Sequence, residues 1–232
     1  IVDAEDGYGV TYGARLAVLG TAGPQSRLSF PLTWGGTKQA GVEVDRPFAR
    51  GPFTRVLIGG AVQRQHNPAF DEDDDRQRVW VSLERATGPW RAHGTAGWQR
   101  VSFAQDHDRF RTIGGDLTFD TRVDPVLPRN AVLATASIER LDVNARPAVT
   151  RTRLEGRAYV GLVGQLVLAV RAVREDASGP LPRYLKPMLG GWSSLRGVEA
   201  GTYAGDILDA ESAELRVPLT SPLHLARLGV SV

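Results

Sequence analysis

Apolar and polar residues alternate with a period of two along most of the chain, the repeat that sends successive side chains to opposite faces of a β-strand. Near the N-terminus Tyr8, Val10, Tyr12, Ala14, Leu16 and Val18 share one face, with Gly9, Thr11, Gly13 and Arg15 on the other. Leu28, Phe30, Leu32 and Trp34 then oppose Arg27, Ser29 and Thr33, and Ala40, Val42 and Val44 oppose Gln39, Glu43 and Asp45. Further segments follow at 53–65, 76–85, 90–103, 110–122, 131–141, 151–162 and 166–174. In one of them Trp90, Ala92, Ala96 and Trp98 face away from Arg91, His93, Thr95 and Gln99; in another Arg151, Arg153, Glu155, Arg157 and Tyr159 face away from Thr152, Leu154, Ala158, Val160 and Leu162. About twelve such segments predict an all-β antiparallel fold, each near the ~10 residues that carry a tilted strand across a bilayer.

The polar face narrows the choice of architecture. A soluble sandwich turns that face to water and favours lysine and glutamate at exposed edges. Here arginine and acidic residues share it strand after strand, which suits a water-filled lumen where opposite charges pair across the ladder. Connections alternate too. Compact turns at Gly20-Thr21-Ala22-Gly23-Pro24, Ala86-Thr87-Gly88-Pro89, Gly164-Gln165 and Thr220-Ser221-Pro222 interleave with longer polar connections predicted at 66–75, 104–109 and 143–148, and with a very long loop at about 176–209. Outer-membrane barrels combine short periplasmic turns with longer extracellular loops, so the long loop is expected outside. The short Gly35-Gly36 link and the long 123–130 connection depart from this parity.

Composition removes several alternatives. With no cysteine there is neither a disulfide nor a thiolate metal site. Hydrophobic residues make up 42% of the chain, mean hydropathy is −0.20, and no apolar run reaches the length of a membrane-spanning helix. Net charge is only +2, and all basic residues except Lys38 and Lys186 are arginines scattered through the strands, so nucleic acid is not an expected partner. No linker divides the 232 residues, which are read as one domain. The chain opens at Ile1-Val2-Asp3 without an initiator methionine and stops at Val232 inside an apparent strand, so an internal piece of a longer protein is expected.

Catalytic and metal-binding patterns are sparse. His66, His93, His107 and His224 lie on different segments without metal-ligand spacing. Ser193-Ser194 has no Gly-x-Ser-x-Gly elbow and no identifiable base. The run Asp71-Glu72-Asp73-Asp74-Asp75 lacks the sixth-position glycine and the later glutamate of a calcium loop, and reads as a solvated acidic loop. Neither a cofactor nor an enzymatic activity is expected.

The stretch 189–219 carries the one chemical argument. A Gly-rich, non-periodic loop holding Gly190, Gly191, Leu195, Arg196 and Gly197 runs into a strand in which Ser212, Glu214 and Arg216 alternate with Ala213, Leu215 and Val217. Such a loop can fold back into a polar interior and be pinned there by a bidentate guanidinium on Glu214. On spacing alone Arg196 is equally well a solvated arginine. The strings Leu189-Gly190-Gly191, Leu195-Arg196-Gly197 and Glu214-Leu215-Arg216-Val217-Pro218-Leu219 resemble the bacterial surface-antigen barrel domain of the Omp85 superfamily, which includes the BamA and TamA assembly factors and two-partner-secretion transporters. Leu195 stands for the family's valine and Val198 for its aromatic.

The resemblance implies an outer-membrane β-barrel, with about twelve strands present of the sixteen in the family's barrel. The first strand and the last three are expected to lie beyond this sequence. It also implies that the Arg196 loop folds into the lumen and pairs with Glu214. The implied function is protein insertion or polypeptide translocation at the bacterial outer membrane. Its implied partners are the lipid bilayer, unfolded outer-membrane or secreted polypeptides, and POTRA domains in the parent chain. Two alternatives stay open: a two-partner-secretion transporter, and the membrane-anchoring barrel of a patatin-like phospholipase.

Overall fold

The alternation becomes a single meandering sheet. The computed structural model describes residues 2–5, 7–144, 146–191, 194–218 and 229–231. Its strands are β1 (Val2–Glu5), β2 (Gly9–Leu19), β3 (Arg27–Gly35), β4 (Thr37–Pro47), β5 (Arg55–Asn67), β6 (Glu72–Thr87), β7 (Trp90–Phe103), β8 (Asp106–Asp120), β9 (Ala131–Val143), β10 (Val149–Gly161), β11 (Val167–Ala177), β12 (Met188–Leu189), β13 (Tyr203–Ala204), β14 (Leu208–Pro218) and β15 (Gly229–Ser231). All but β12 and β13 form one 13-stranded sheet in chain order, β11 pairing directly with β14. Every described pairing in it is antiparallel. A one-residue slip in any ladder would exchange its two faces, so the continuous alternation fixes the register.

Those registers line the two faces up across the sheet. Leu16 stands opposite Phe30, Val44 opposite Ile58, Ile58 opposite Val81, Ala96 opposite Ile113, and Leu168 opposite Leu215. These side chains form an exposed apolar belt: Leu16 is 66% exposed and Ile113 64%. Burying such a surface in hydrocarbon, rather than in water or a protein core, is what a membrane barrel's outer face does. The opposite parity carries the charges, and it is the face on which the long loop lies, which makes it the interior.

Two corrections concern the connections. The polar stretches 66–75 and 104–109 are mostly strand, not loop. β6 has 16 residues and β8 has 15, well beyond the ~10 needed to cross a bilayer, so their hairpins extend past the belt. The acidic run is only partly the solvated loop expected: Asp71 lies in the turn with its side chain 95% exposed, whereas Glu72, Asp73, Asp74 and Asp75 lie in β6. Three of these have partners, Asp75 in Arg64, Asp74 in Arg76 and Asp73 in His66 Nδ1 at 3.2 Å. The turn at Thr220-Ser221-Pro222 and His224 lie outside the described residues.

The core is off-centre. Val101, Phe103, Phe110, Leu141, Val143 and Val149 are buried together with Leu181 and Tyr184 of the long loop. A smaller buried cluster, Ala131, Tyr159, Val167 and Ala169, occupies the inner face at the opposite strand ends.

Candidate functional site

The connection between β11 and β14, residues 178–207, does not hang free. Its first part settles on the wall made by β6 to β10. Tyr184, in a single 3-10 turn (Arg183–Leu185), stacks against Phe110 at 6.2 Å between ring centroids and tilts against Phe103 at 6.0 Å. Its hydroxyl donates to Asp108 Oδ2 at 2.7 Å, and its carbonyl accepts from Arg76 Nη2 at 2.8 Å. Burial, and then the facing Asp108 carboxylate, push the Tyr184 phenol well above its ordinary range, so it stays a donor. Arg76 is itself fixed by Asp74, whose side chain is fully buried.

The loop then closes on itself. Asp206 accepts from the Leu181 backbone at 2.8 Å and lies 3.4 Å from Lys186 Nζ, tying the loop's two ends together. Met188 pairs with Ala204 and Leu189 with Tyr203, a short hairpin that carries the Leu195-Arg196-Gly197 tip. Gly190 has φ +125°, and a Cβ there would stand 2.0 Å from the Glu199 carbonyl oxygen, so only glycine fits. Gly191 and Gly197 also have positive φ, and Gly191 donates to Val198 at 2.7 Å across the tip, which Leu195 joins by a bridge to Gly191. Ser194 Oγ donates to the Gly190 carbonyl at 2.6 Å, so this hydroxyl holds the tip. Ser193 lies outside the described residues.

Arg196 Nη2 donates to Glu214 Oε1 at 2.7 Å. Glu214 shares its face of β14 with Arg216, and its second oxygen, Oε2, accepts from Arg216 Nε at 3.0 Å. The carboxylate expected to take Arg196 alone is thus shared with Arg216, whose guanidinium also lies 5.6 Å over the Tyr159 ring. Glu214 is 18% exposed and Arg196 51%, so their attraction is that of a half-solvated pair, about 0 to 1 kcal/mol.

Beneath the loop lies a cavity of about 570 Å³, lined from the wall by Arg151, Arg153, Arg171, Glu139 and Glu175 and from the loop by Lys186. The wall charges compensate one another. Glu155 meets Arg153, Arg157 and Arg171, and Asp45 meets Arg27 and Arg55. His93 uses both ring nitrogens, on Asp116 at 3.0 Å and Glu84 at 2.8 Å, and so cross-links three strands. Among the described residues no three His, Asp or Glu side chains are grouped to hold a metal ion.

Tyr184, Asp108, Arg76 and the apolar cluster under the loop were not singled out by the sequence reading. A signal existed: Val101, Phe103, Phe110, Leu141, Val143 and Val149 are apolar residues on the polar parity, all at strand ends on one rim. Trp80 is a second case. It lies on the inner face because Gly59, opposite it on β5, leaves room; a Cβ at Gly59 would stand 2.3 Å from the indole.

No family model and no curated protein matches the sequence. Solved structures do match its fold. BamA from Haemophilus ducreyi lacking POTRA domains 1–3 superposes with a TM-score of 0.81 at 12% identity, over 99% of this chain and 55% of that one. CdiB from Acinetobacter baumannii gives a TM-score of 0.55 at 12% identity, over 92% of this chain and 44% of that one. The chain thus spans about half the length of either protein. With its meandering sheet, outward apolar belt, charged interior and inward-folded long loop, the chain has the fold of the BamA barrel.

Proposed function

We propose that this chain is the barrel of an Omp85-type protein in the bacterial outer membrane that inserts or translocates polypeptides there, a non-enzymatic role. One observation carries the reading: the described residues of the long loop, 178–191 and 194–207, are folded onto the interior wall and anchored at both Tyr184 and Arg196. A passive pore needs an open lumen, whereas a docked loop that can be released suits a barrel that admits a chain. The partners are the bilayer around the apolar belt and an unfolded outer-membrane or secreted polypeptide, with POTRA domains of the parent chain presenting it. The fold likeness to BamA supports insertion, and that to CdiB supports export of a secreted passenger.

The test places the intact protein in lipid vesicles and supplies an unfolded outer-membrane barrel. Faster appearance of the folded, heat-modifiable substrate than in empty vesicles supports insertion. Protease-protected transfer of a passenger without that acceleration supports export. Large steady conductance with neither activity marks a passive pore and overturns the reading.

A further inference from the structure

Arginines in this sheet differ in company. On the inner face Arg15, Arg55, Arg151 and Arg171 each have a carboxylate within 3.4 Å. On the outer face Arg64 pairs with Asp75, and Arg174 with Asp209. Four more outward arginines, Arg100, Arg109, Arg111 and Arg140, are exposed and form no ion pair among the described residues. They are neighbours. Arg100 stands directly opposite Arg109, Arg111 is flanked by Trp98 and Asp142, and Arg140 stands opposite Ile113. Like charges facing each other across a ladder repel, and Asp142 offsets only one of them.

Their height on the wall matters as much as their charge. Each begins where the apolar belt of its strand ends on the long-loop side: Arg100 after Trp98, Arg111 after Ile113, Arg140 after Ile138. Arg100 lies 6.0 Å over the Trp98 ring, an aromatic at the level where barrels place their interfacial girdle. The same wall holds an apolar groove of about 820 Å³, lined by Gly60, Val79, Ala96 and Ile113 and reaching Arg111, Arg140 and Asp142. The groove exists because residue 60 has no side chain. A Cβ there would approach nothing closer than Val79 Cγ1 at 3.5 Å.

We infer that this groove and its arginine cluster form a binding site for a phosphate-bearing lipid of the outer leaflet, with an acyl chain in the groove and the phosphate on Arg111 and Arg140. Guanidinium forks match phosphate oxygens, and the water-poor interface strengthens the contact. Cations beside an apolar groove, with Asp142 as their one carboxylate neighbour among the described residues, are costly without such a ligand, and with it the charges that repel one another across β7, β8 and β9 are neutralised.

The inference rests on the outer-membrane placement proposed above, and its test separates the two. Native mass spectrometry of the intact protein is run with diphosphoryl lipid A and with the same lipid after enzymatic removal of its phosphates. Arg111→Gln with Arg140→Gln is expected to weaken binding of the phosphorylated lipid by about fivefold per arginine, about 25-fold together. Arg64→Gln with Arg174→Gln, which removes outward arginines that already have partners, is expected to leave it within about twofold. Gly60→Leu, which fills the groove without touching a charge, is expected to weaken it as well. Equal binding of the phosphorylated and dephosphorylated lipids, or equal losses in the two arginine pairs, overturns the site while the heat-modifiable, inserted barrel still stands. Failure of the intact protein to insert into bilayers overturns placement and site together.

Discussion

Glu214 holds two arginines at once, Oε1 taking Arg196 from the loop and Oε2 taking Arg216 from its own strand. Removing the carboxylate therefore takes this contact from two arginines, whereas removing Arg196 leaves Arg216 on Glu214. Glu214→Ala is expected to impair the intact protein more than Arg196→Ala. The double variant should be no worse than Glu214→Ala, because both changes act on one contact. Arg196→Lys should keep part of the function, since a single guanidinium nitrogen makes the described contact. Rates of polypeptide insertion or export for the four variants check this, and fully additive losses would refute it.

Loop docking rests on apolar packing more than on its polar bonds. Tyr184→Phe deletes the hydrogen bond to the Asp108 carboxylate, which keeps Arg146 at 3.2 Å, and is expected to cost about 1.5 to 3 kcal/mol. Tyr184→Ala empties the space between Phe103, Phe110 and Leu181 and is expected to cost about 3 to 5 kcal/mol of docking. Hydrogen exchange across residues 178–207 reads both. Comparable exchange in the two variants would show that the hydroxyl, not the ring, seats the loop.

Glu155 is the most heavily shared inner carboxylate, touching Arg153, Arg157 and Arg171. Those arginines are 25–40% exposed, so Glu155→Gln is expected to cost about 1 to 3 kcal/mol, less than a fully buried charge would. Denaturant unfolding in vesicles measures it. Added salt should narrow the gap between variant and wild type by stabilising the uncompensated arginines.

Gly59→Ala places a Cβ within the indole of Trp80, against which Arg78 lies at 4.8 Å. Overpacking of this kind costs about 1 to 3 kcal/mol, and the same Gly59→Ala change made in a Trp80→Gly background should cost little. Melting of the heat-modifiable form, each background compared with its own parent, gives the comparison. An equal loss in both backgrounds would show that residue 59 is constrained by its backbone and not by the ring.

Much of the fold was legible because a two-sided strand writes its environment into every second residue. Arg153 and Glu155 against Leu154 need no partner to be assigned a face. What stayed hidden depends on residues far apart in sequence. Phe103 and Leu141 on the polar parity look like noise until Tyr184 covers them. Residues 71–75 look like a loop because a carboxylate run is read as solvated, and only the register shows Arg64 opposite Asp75 and His66 opposite Asp73. The Arg196–Glu214 contact is legible from the strand's alternation together with the resemblance, but Arg216's share of the same carboxylate is not, since alternation shows only that strand neighbours two apart share a face.

In the outer-membrane placement proposed above, the overhang of β5 to β8 changes what an outside observer of the cell would meet. A surface built from paired strand, with Asp75 bound to Arg64 and Asp73 to His66, presents shape and not an extended peptide. Antibodies raised against a linear peptide of residues 66–75 are expected to miss the folded protein, whereas those raised against intact cells should recognise this rim and lose it when the hairpin is unpaired.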